Sequence, residues 1–270
     1  MAHSSAILAS SISFAHGYRA MLHSLNATSG MTTAPHHLAA QSGCDVLKDG
    51  GNAVEAAVAM AATLAVVYPH MTGIGGDGFW LMADADGAIS GIDACGRSAS
   101  SLSLADYAGH DQIPSRGPLA ANTVAGTVAG WQAALDSAPR NIPLSRLLRD
   151  AIQYAKTGVV VTKGGAGIAA TKGGELRTQL GAYSVIFEPE GKPLAEGDLL
   201  RQPALAETLK TIANHGTDSF YHGDLAATIA EDLAALGSPV TANDLAAHEV
   251  THPTPLTVSL GDIDLFNMTP

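Results

Sequence analysis

Positive charge is scarce in this chain. Its 270 residues carry 14 Lys and Arg against 25 Asp and Glu, which gives a formal net charge of -11 at pH 7. Binding to a phosphate backbone depends on clustered Lys and Arg, because these side chains neutralise phosphates and release counterions. The composition therefore argues against nucleic acid and anionic membranes as partners. The acidic surface is explained by solubility alone.

Cysteine is almost absent. The chain has two cysteines, Cys44 and Cys95, and they form no C-x-x-C pair. Small secreted domains that depend on disulfides carry many more, and zinc sites of the ribbon or finger type need paired cysteines at short spacing. We therefore expect two free thiols, and neither a disulfide framework nor a zinc site.

Histidine is more frequent, with 11 residues, but it shows no metal-ligand spacing. The neighbours His36 and His37 do not place two rings on one face of a helix, and no H-E-x-x-H motif occurs. An isolated His needs a second ligand and an orienting partner. We therefore predict no metal, and we expect His248, Glu249 and His252 to be surface or loop residues.

Long hydrophobic runs are also missing. The most apolar stretch, Ala53–Val67, is shorter than the roughly 20 residues that cross a bilayer, and it contains Glu55. It is therefore predicted to be a core helix. With 46% hydrophobic and 14% charged residues, the chain has the composition of a globular protein.

The stretch from Pro35 to Phe79 is the most informative part of the chain. Its first part, Leu38–Lys48, has helical apolar spacing, and Gly50 and Gly51 can end that helix. Asn52 and Glu55 have the spacing of a capping box, which predicts an abrupt start for the helix over Ala53–Val67. Because this second helix is mostly Ala and Val, we expect it to pack closely against its neighbours.

A glycine-rich turn follows. The run Gly73–Gly78 fits G-x-G-x-x-G, but the dinucleotide fingerprint requires a strand before the glycines and a helix after them. Here the order is reversed, since a helix ends near Pro69 and a strand is predicted over Phe79–Ala83, with a return strand through Ile92. We therefore expect no nicotinamide or flavin cofactor. The alternative is that the glycines only allow two backbones to cross closely.

These motifs, taken in order, resemble the large subunit of the gamma-glutamyltranspeptidase family. The resemblance begins with the run from Gly50 to Ala57 and with Pro69 followed by Gly73–Phe79, and it covers roughly residues 31–270. Several motifs in the expected order are far more specific than any one of them. The later matching segments are Gly126–Trp131, Gly197–Asp198, Gln202–Ala206, Gly216–Gly223 and Asp244–Ala246.

The resemblance implies an α+β fold, namely the helix-rich large-subunit portion of a four-layer αββα N-terminal nucleophile hydrolase sandwich. It also implies a precursor that cuts itself into a large and a small subunit. The new N-terminal Thr of the small subunit then attacks an amide carbonyl, with its own amine as the base, and an acyl-enzyme forms. Water or an amine acceptor takes the acyl group.

In the family, the catalytic Thr lies further along the chain than the stretch that ends at Pro270. The resemblance therefore implies no catalytic residue in this chain, and we expect residues 1–270 alone to be inactive. The family also places in the large subunit an Arg that pairs with the substrate's carboxylate. Aligned on Asp93 and Ala99, that Arg falls at Cys95, and the nearest guanidinium is Arg97.

Arg97 is the candidate substrate-binding residue, with a structural ion pair as the alternative role. Its shifted position leaves gamma-glutamyl specificity open, because such a divergence resembles the acylase branch of the family, which cleaves glutaryl or related amides. A third alternative is a catalytically inert binding or structural protein that has kept the scaffold. The expected partners are a gamma-glutamyl or acyl-amide substrate and the small subunit of the same precursor.

The first 30 residues differ from the remainder, because they are rich in Ser and Ala and lie outside the matched region. They are predicted to be a leader or a mobile extension, and residues 31–270 are predicted to form an incomplete large-subunit portion. No basic residue precedes the apolar run from Ala6 to Ala15. This slightly favours a cytoplasmic location over a periplasmic one. The resemblance keeps the periplasm open, because many members of the family are exported.

The other elements are predicted from periodicity and caps. We expect Lys163–Lys172 to be a flexible crossing, because it is rich in Gly and Ala. A terminal hairpin is predicted from Leu256–Leu260 and Ile263–Met268, either exposing an edge or docking onto the chain's own helices. Thr241 and Asp244 predict a capping box. The remaining predicted helices are Leu144–Thr157, Pro203–His215 and Leu225–Leu236.

Overall fold

The computed structural model describes residues 26–270. The predicted leader therefore lies largely outside the described residues. Helices dominate the described part, and two single 3-10 turns occur at Leu104–Tyr107 and Thr217–Phe220. The helices are α1 (His37–Lys48), α2 (Ala53–Val67), α3 (Thr127–Asp136), α4 (Leu144–Leu147), α5 (Arg149–Thr157), α6 (Lys163–Leu176), α7 (Tyr183–Phe187), α8 (Pro203–His215), α9 (Gly223–Ala235) and α10 (Ala242–Ala246).

The strands form short antiparallel pairs rather than one continuous sheet. Within residues 26–270 there are three two-stranded sheets, each made of neighbours in strand order. The first pairs Phe79 with Asp93, and Asp93 also forms a bridge with Thr251. The pairs are β1 (Phe79–Ala83) with β2 (Ile89–Asp93), β3 (Val159–Val160) with β4 (Leu199–Leu200), and β5 (Leu256–Leu260) with β6 (Ile263–Asn267).

The predicted start of α2 is confirmed. Asn52 accepts a hydrogen bond from the Glu55 amide at 2.9 Å, and Glu55 Oε2 accepts one from the Asn52 amide at 2.9 Å. The other carboxylate oxygen, Oε1, accepts from the amides of Asn141 and Ile142, each at 2.7 Å. Glu55 is buried, so a cap that sequence spacing predicts locally also ties α2 to the segment before α4.

The core surrounds α2. Nine of its 15 residues are buried, and it packs against α1, α5 and α3. Trp131 of α3 is the largest fully buried side chain. Small Ala and Val side chains bring these helices close together, as the composition predicts. The other large residues with fully buried side chains include Ile92, Leu147, Leu148, Leu209, Ile212 and Leu245.

Two of the predicted elements are wrong in detail. The helix predicted over Leu144–Thr157 is interrupted at Leu148, which joins α4 to α5. The segment predicted as a flexible crossing, Lys163–Lys172, is helical and lies within α6. Thr162 caps α6 by accepting a hydrogen bond from the Gly165 amide at 3.1 Å, and the Ala, Lys, Glu and Leu residues of the segment favour a helix.

The terminal hairpin is confirmed, and every residue of β5 and β6 is exposed. The chain after β6 turns back toward β2, where Met268 Sδ lies 2.9 Å from the position that a Cβ on Gly91 would take. The hairpin therefore presents apolar side chains to solvent on both faces.

Elsewhere the helical boundaries of α8 agree with prediction, and α9 begins two residues earlier than predicted.

Candidate functional site

The glycine-rich turn between α2 and β1 is held by the start of α3. The carbonyl oxygen of Gly76 accepts hydrogen bonds from the amides of Gly126 and Thr127 and from the Thr127 hydroxyl, each at 2.9 Å. The same hydroxyl lies 2.8 Å from the Asp77 carbonyl oxygen. Thr127 is buried, so one side chain fixes the end of the turn without exposing its own polar atoms.

Two further segments meet this turn. The loop after β2 runs antiparallel to the chain before α3, with hydrogen bonds from Val124 N to Arg97 O at 3.0 Å and from Ala99 N to Asn122 O at 2.9 Å. The Ala94 amide donates to the Gly78 carbonyl at 2.9 Å. We call the meeting of the three segments, 76–78, 94–97 and 124–127, the crossing.

Gly96 and Gly126 make the crossing possible. A Cβ on Gly96 would lie 1.6 Å from the Val124 carbonyl oxygen, and a Cβ on Gly126 would lie 1.7 Å from that of Ala94. No side chain fits at either position, because the obstructing atoms belong to the backbone.

For the glycine-rich turn, the alternative interpretation is that its glycines allow two backbones to cross closely. These glycines contribute less to the crossing than Gly96 and Gly126 do. Of its glycines, Gly78 lies in ordinary contact distance of Thr127, while Gly75 and Gly76 have open space where a Cβ would be. The predicted order is correct, since α2 precedes the turn and β1 follows it. No helix begins directly after the turn, and the first amides of α3 bond to the Gly76 carbonyl oxygen, so the fingerprint arrangement of a following helix facing a pyrophosphate is not formed here.

Asp77 and Cys95 lie at the crossing. Asp77 Oδ1 accepts a hydrogen bond from the Gly96 amide at 2.9 Å, and the Cys95 amide donates to Asp93 Oδ1 at 2.8 Å. Burial, together with the nearby carboxylates of Asp93 and Asp77, raises the pKa of the Cys95 thiol to about 11. Cys95 is therefore a protonated thiol at neutral pH and a poor nucleophile.

Arg97 is the exposed cation at the crossing. Its carbonyl oxygen belongs to the backbone ladder with Val124, which fixes its Cα. Its guanidinium forms no hydrogen bond or ion pair within residues 26–270. A fixed backbone with an unpaired guanidinium is suited to binding an external carboxylate, because the planar group can donate two parallel hydrogen bonds.

His248 lies in the loop after α10, as predicted, but its side chain is half-buried rather than at the surface. Its ring stacks on Tyr221 at 5.4 Å between centroids, and both ring nitrogens are buried without a partner among the described residues. Burial lowers the pKa of His248, the positive charge of Arg97 lowers it further, and Asp77 opposes the shift. It is therefore neutral at pH 7, and it lies beside the crossing, where its Nε2 is 3.1 Å from a Cβ position on Gly126.

Tyr221 fixes that ring. Its hydroxyl donates to the Ala125 carbonyl at 2.8 Å and accepts from the Ala129 amide at 2.9 Å. Burial raises the pKa of Tyr221 well above its ordinary value, so the hydroxyl remains protonated. An open cleft of about 710 Å³ is lined by both rings, together with residues of α3, the turn at 216–218 and residues 250 and 252.

Asp244 anchors the loop that carries Arg97. The predicted capping box with Thr241 is confirmed, and the free carboxylate oxygen accepts a hydrogen bond from the Ser100 amide at 2.9 Å. Although burial raises the pKa of Asp244, the hydrogen bonds from Thr241 and Ser100 lower it more, to about 2. The cap of α10 therefore also holds the segment after the crossing.

The neighbouring histidines lie at the start of α1, with His36 outside the helix. His36 and His37 stack at 4.7 Å between ring centroids, because His36 precedes α1 in an extended conformation and caps it through Nδ1, which accepts from the Leu38 amide at 3.2 Å. In residues 26–270 no group of three His, Cys, Asp or Glu side chains converges as metal ligands. In the same residues no helix has the length and hydropathy to cross a bilayer.

Comparison with known proteins shows which family and which relatives the chain resembles. The model of the family described as gamma-glutamyltranspeptidase matches residues 39–270. The oxamate amidohydrolase proenzyme of Klebsiella pneumoniae is 50% identical over 254 residues, which are 92% of this chain and 48% of that protein. The glutathione hydrolase proenzyme of Escherichia coli is 35% identical over 254 residues, 93% of this chain and 44% of that protein.

Solved structures agree with these matches. Helicobacter pylori gamma-glutamyltranspeptidase superposes with a TM-score of 0.82 at 29% identity, over 92% of this chain and 72% of that one. A cephalosporin acylase from Bacillus halodurans superposes with a TM-score of 0.80 at 31% identity, and the match covers 86% of this chain and 44% of the acylase chain. The chain spans about half the length of the curated relatives it matches.

Proposed function

The chain belongs to the gamma-glutamyltranspeptidase family, and on that premise we propose that the complete protein cleaves an amide whose acyl part carries a carboxylate, which Arg97 binds. Residues 31–270 act in this proposal as a large-subunit portion. The attacking hydroxyl belongs to the N-terminal Thr of a small subunit from the same precursor. The Thr oxygen bonds to the amide carbon, the amine leaves with a proton, and water or an amine then takes the acyl group.

The unpaired guanidinium of Arg97 is the observation that carries the proposal. Its loop is fixed by the backbone ladder at the crossing and by Asp244, while the side chain itself is exposed. The alternative role, a structural ion pair, has no support among the described residues. Cys95, which takes the position of the family's Arg, is an uncharged thiol and cannot substitute for it.

The next question is which acyl group the substrate carries. Gamma-glutamyl and glutaryl compounds place the carboxylate at the end of a short carbon chain, whereas oxamate places it directly on the scissile carbonyl. All three share the carboxylate, so an Arg at the crossing serves any of them. The relatives named a glutathione hydrolase, an amidohydrolase and an acylase support this range of substrates. The shift of the Arg from position 95 to 97 favours the acylase and amidohydrolase substrates over gamma-glutamyl ones.

The test is a comparison of the full-length, processed protein with its Arg97→Ala and Arg97→Lys variants on gamma-glutamyl anilide, glutaryl anilide and oxamate. A charged hydrogen bond contributes about 1.5–3 kcal/mol, so Arg97→Ala should raise KM about 10- to 100-fold on the true substrate with a smaller change in kcat. Arg97→Lys should recover part of the loss, because it keeps the charge without the planar fork.

Arg149→Ala is the matched control, since that side chain is 59% exposed and pairs only with its neighbour Asp150. Its kinetics should equal those of the unchanged protein. An unchanged KM in Arg97→Ala would refute the carboxylate role. Absence of turnover on all amides, in a protein with a processed small subunit, would instead favour the inert scaffold.

A further inference from the structure

A cavity separate from the crossing lies beneath α6. Its volume is about 260 Å³, and α6, the strands β3 and β4, and α7 enclose it. An apolar cavity of roughly 150 Å³ is enough to hold a benzene ring. The space is therefore large enough for a substituted ring. The apolar residues around it include Val67, Val159, Ile168, Leu176, Phe187 and Leu200.

The helix that covers this cavity is held weakly. α6 has 14 residues, of which five are glycine and one, Gly173, is buried. Each glycine inside a helix destabilises it relative to Ala. With so little buried surface to offset that cost, α6 is a cover that local fluctuations can open.

The cavity wall contains an unused hydrogen-bond donor. Tyr183 lines the cavity, and its hydroxyl is buried with no partner among the described residues. A buried polar group without a partner destabilises the folded state, and a ligand or water commonly completes such a group. His70 also lines the wall, and burial lowers its pKa, which keeps the ring neutral at pH 7.

The charged residues on the cavity wall are cationic. Arg116 and Lys172 both line it, and both pair with a single carboxylate, Glu175, at 3.2 Å and 3.7 Å. One carboxylate against two cations leaves one positive charge at the cavity. The neighbouring pair of Arg177 and Glu188 is internally neutral, with its closest contact at 2.8 Å.

We propose that the cavity under α6 binds a small aromatic monocarboxylate of benzoate size, with its ring among the apolar residues and its carboxylate at Tyr183 and the Arg116–Lys172 cations. Apolar volume selects the ring, while the unpaired hydroxyl and the excess positive charge select an anionic acceptor. The site is independent of the function proposed for Arg97.

The probe for the test is 4-fluorobenzoate, titrated into the full-length protein and followed by fluorine NMR and by hydrogen exchange of the α6 amides. The titration uses the Arg97→Ala background, so that binding at the crossing does not contribute. We expect saturable binding that slows exchange in α6. Absence of binding, or binding that leaves α6 exchange unchanged, would overturn the proposal.

Variants locate the ligand. Ala169→Phe fills the cavity and should abolish binding, whereas Ala170→Phe, on the exposed side of the same helix, should leave it unchanged. The smaller changes Tyr183→Phe and Lys172→Gln keep the packing and should each weaken binding at least threefold. Fluorobenzene should bind at least tenfold more weakly than 4-fluorobenzoate, and equal affinity would exclude the carboxylate contact.

Discussion

Two helices of this chain are built from small residues and are packed in opposite ways. α2 consists mostly of Ala and Val, and nine of its 15 residues are buried. α6 consists mostly of Gly and Ala, and one of its 14 residues is buried. Small side chains thus permit close packing in α2 but do not produce it in α6.

The difference lies in what each helix offers to its neighbours. α2 carries β-branched residues such as Val58 and Val66, which fill the space between backbones, and it begins with a capping box whose Glu55 also bonds to another segment. α6 presents Gly165, Ala169 and Lys172 to a cavity instead. Burial therefore depends on shape and on long-range polar contacts, more than on the average size of side chains.

The largest effect should come from removing the polar tie of α2. Glu55→Ala leaves the amides of Asn52, Asn141 and Ile142 without their acceptor in a buried position. We expect the free energy of unfolding to fall by about 3–5 kcal/mol, as measured by urea denaturation. Glu55→Gln should lower the free energy of unfolding by less than Glu55→Ala does, because one acceptor oxygen remains.

Glu207→Ala is the control for that experiment. Its side chain is 69% exposed and pairs with Lys210 at 3.3 Å, so its loss should change stability by less than about 0.5 kcal/mol. If Glu55→Ala were as mild as this control, the carboxylate would not connect α2 to the segment before α4.

A second change tests the close packing of α1 on α2. A Cβ on Gly43 would lie 2.6 Å from Met60 Cγ and Sδ. Gly43→Ala should therefore force Met60 aside, and we expect a net loss of about 1–2 kcal/mol in denaturation experiments, even after the gain in helix propensity. A stabilised variant would show that Met60 has free space.

The same substitution should have the opposite sign in α6. A Cβ on Gly167 would meet no atom within 4 Å. Gly167→Ala should stabilise α6 by about 1 kcal/mol, observed as slower hydrogen exchange of its amides. Faster exchange in the variant would mean that α6 needs the glycine for a reason other than space.

The smallest effect should be a dependence on pH at the start of α1. Burial, followed by the nearby His37 and His70, lowers the pKa of His36 below 6.5. The folded state therefore binds protons less readily than the unfolded state, so the stability is fully present above pH 6.5 and is lost as pH falls through the lowered pKa. Thermal unfolding at several pH values should show this loss, and a similar slope in His36→Asn, which keeps a cap but does not titrate, would assign it to other groups.

Much of the fold could be predicted because its signals are local. The bounds of α2 and α8, the two capping boxes and the terminal hairpin follow from periodicity, caps and turn residues, and they are confirmed. The family resemblance and the α+β class of an N-terminal nucleophile hydrolase are confirmed by the family match and by the likeness to solved structures. α6 was predicted wrongly because its glycines were weighed without the Thr162 cap and without its Ala, Lys, Glu and Leu residues, which favour a helix.

The candidate site was harder to predict because its contacts join distant segments. Nothing in the residues around His248 indicates that its ring packs on Tyr221 and lies beside Arg97. Likewise Gly96 is a single glycine in a loop. That no side chain fits at this position is apparent only once the Val124 backbone is known to lie opposite it. The role of Arg97 stays a prediction, although the structure leaves its guanidinium unpaired among the described residues.

The crossing also limits which substitutions the chain can tolerate next to Arg97. Since carbonyl oxygens occupy the space beside Gly96 and Gly126, a library that randomises these two codons would yield mostly unfolded variants. Substitutions belong instead at Cys95 and Ser98, which lie two residues before and one residue after Arg97 and already carry side chains. Variants at these two positions would test the carboxylate role proposed for Arg97 on an unaltered main chain.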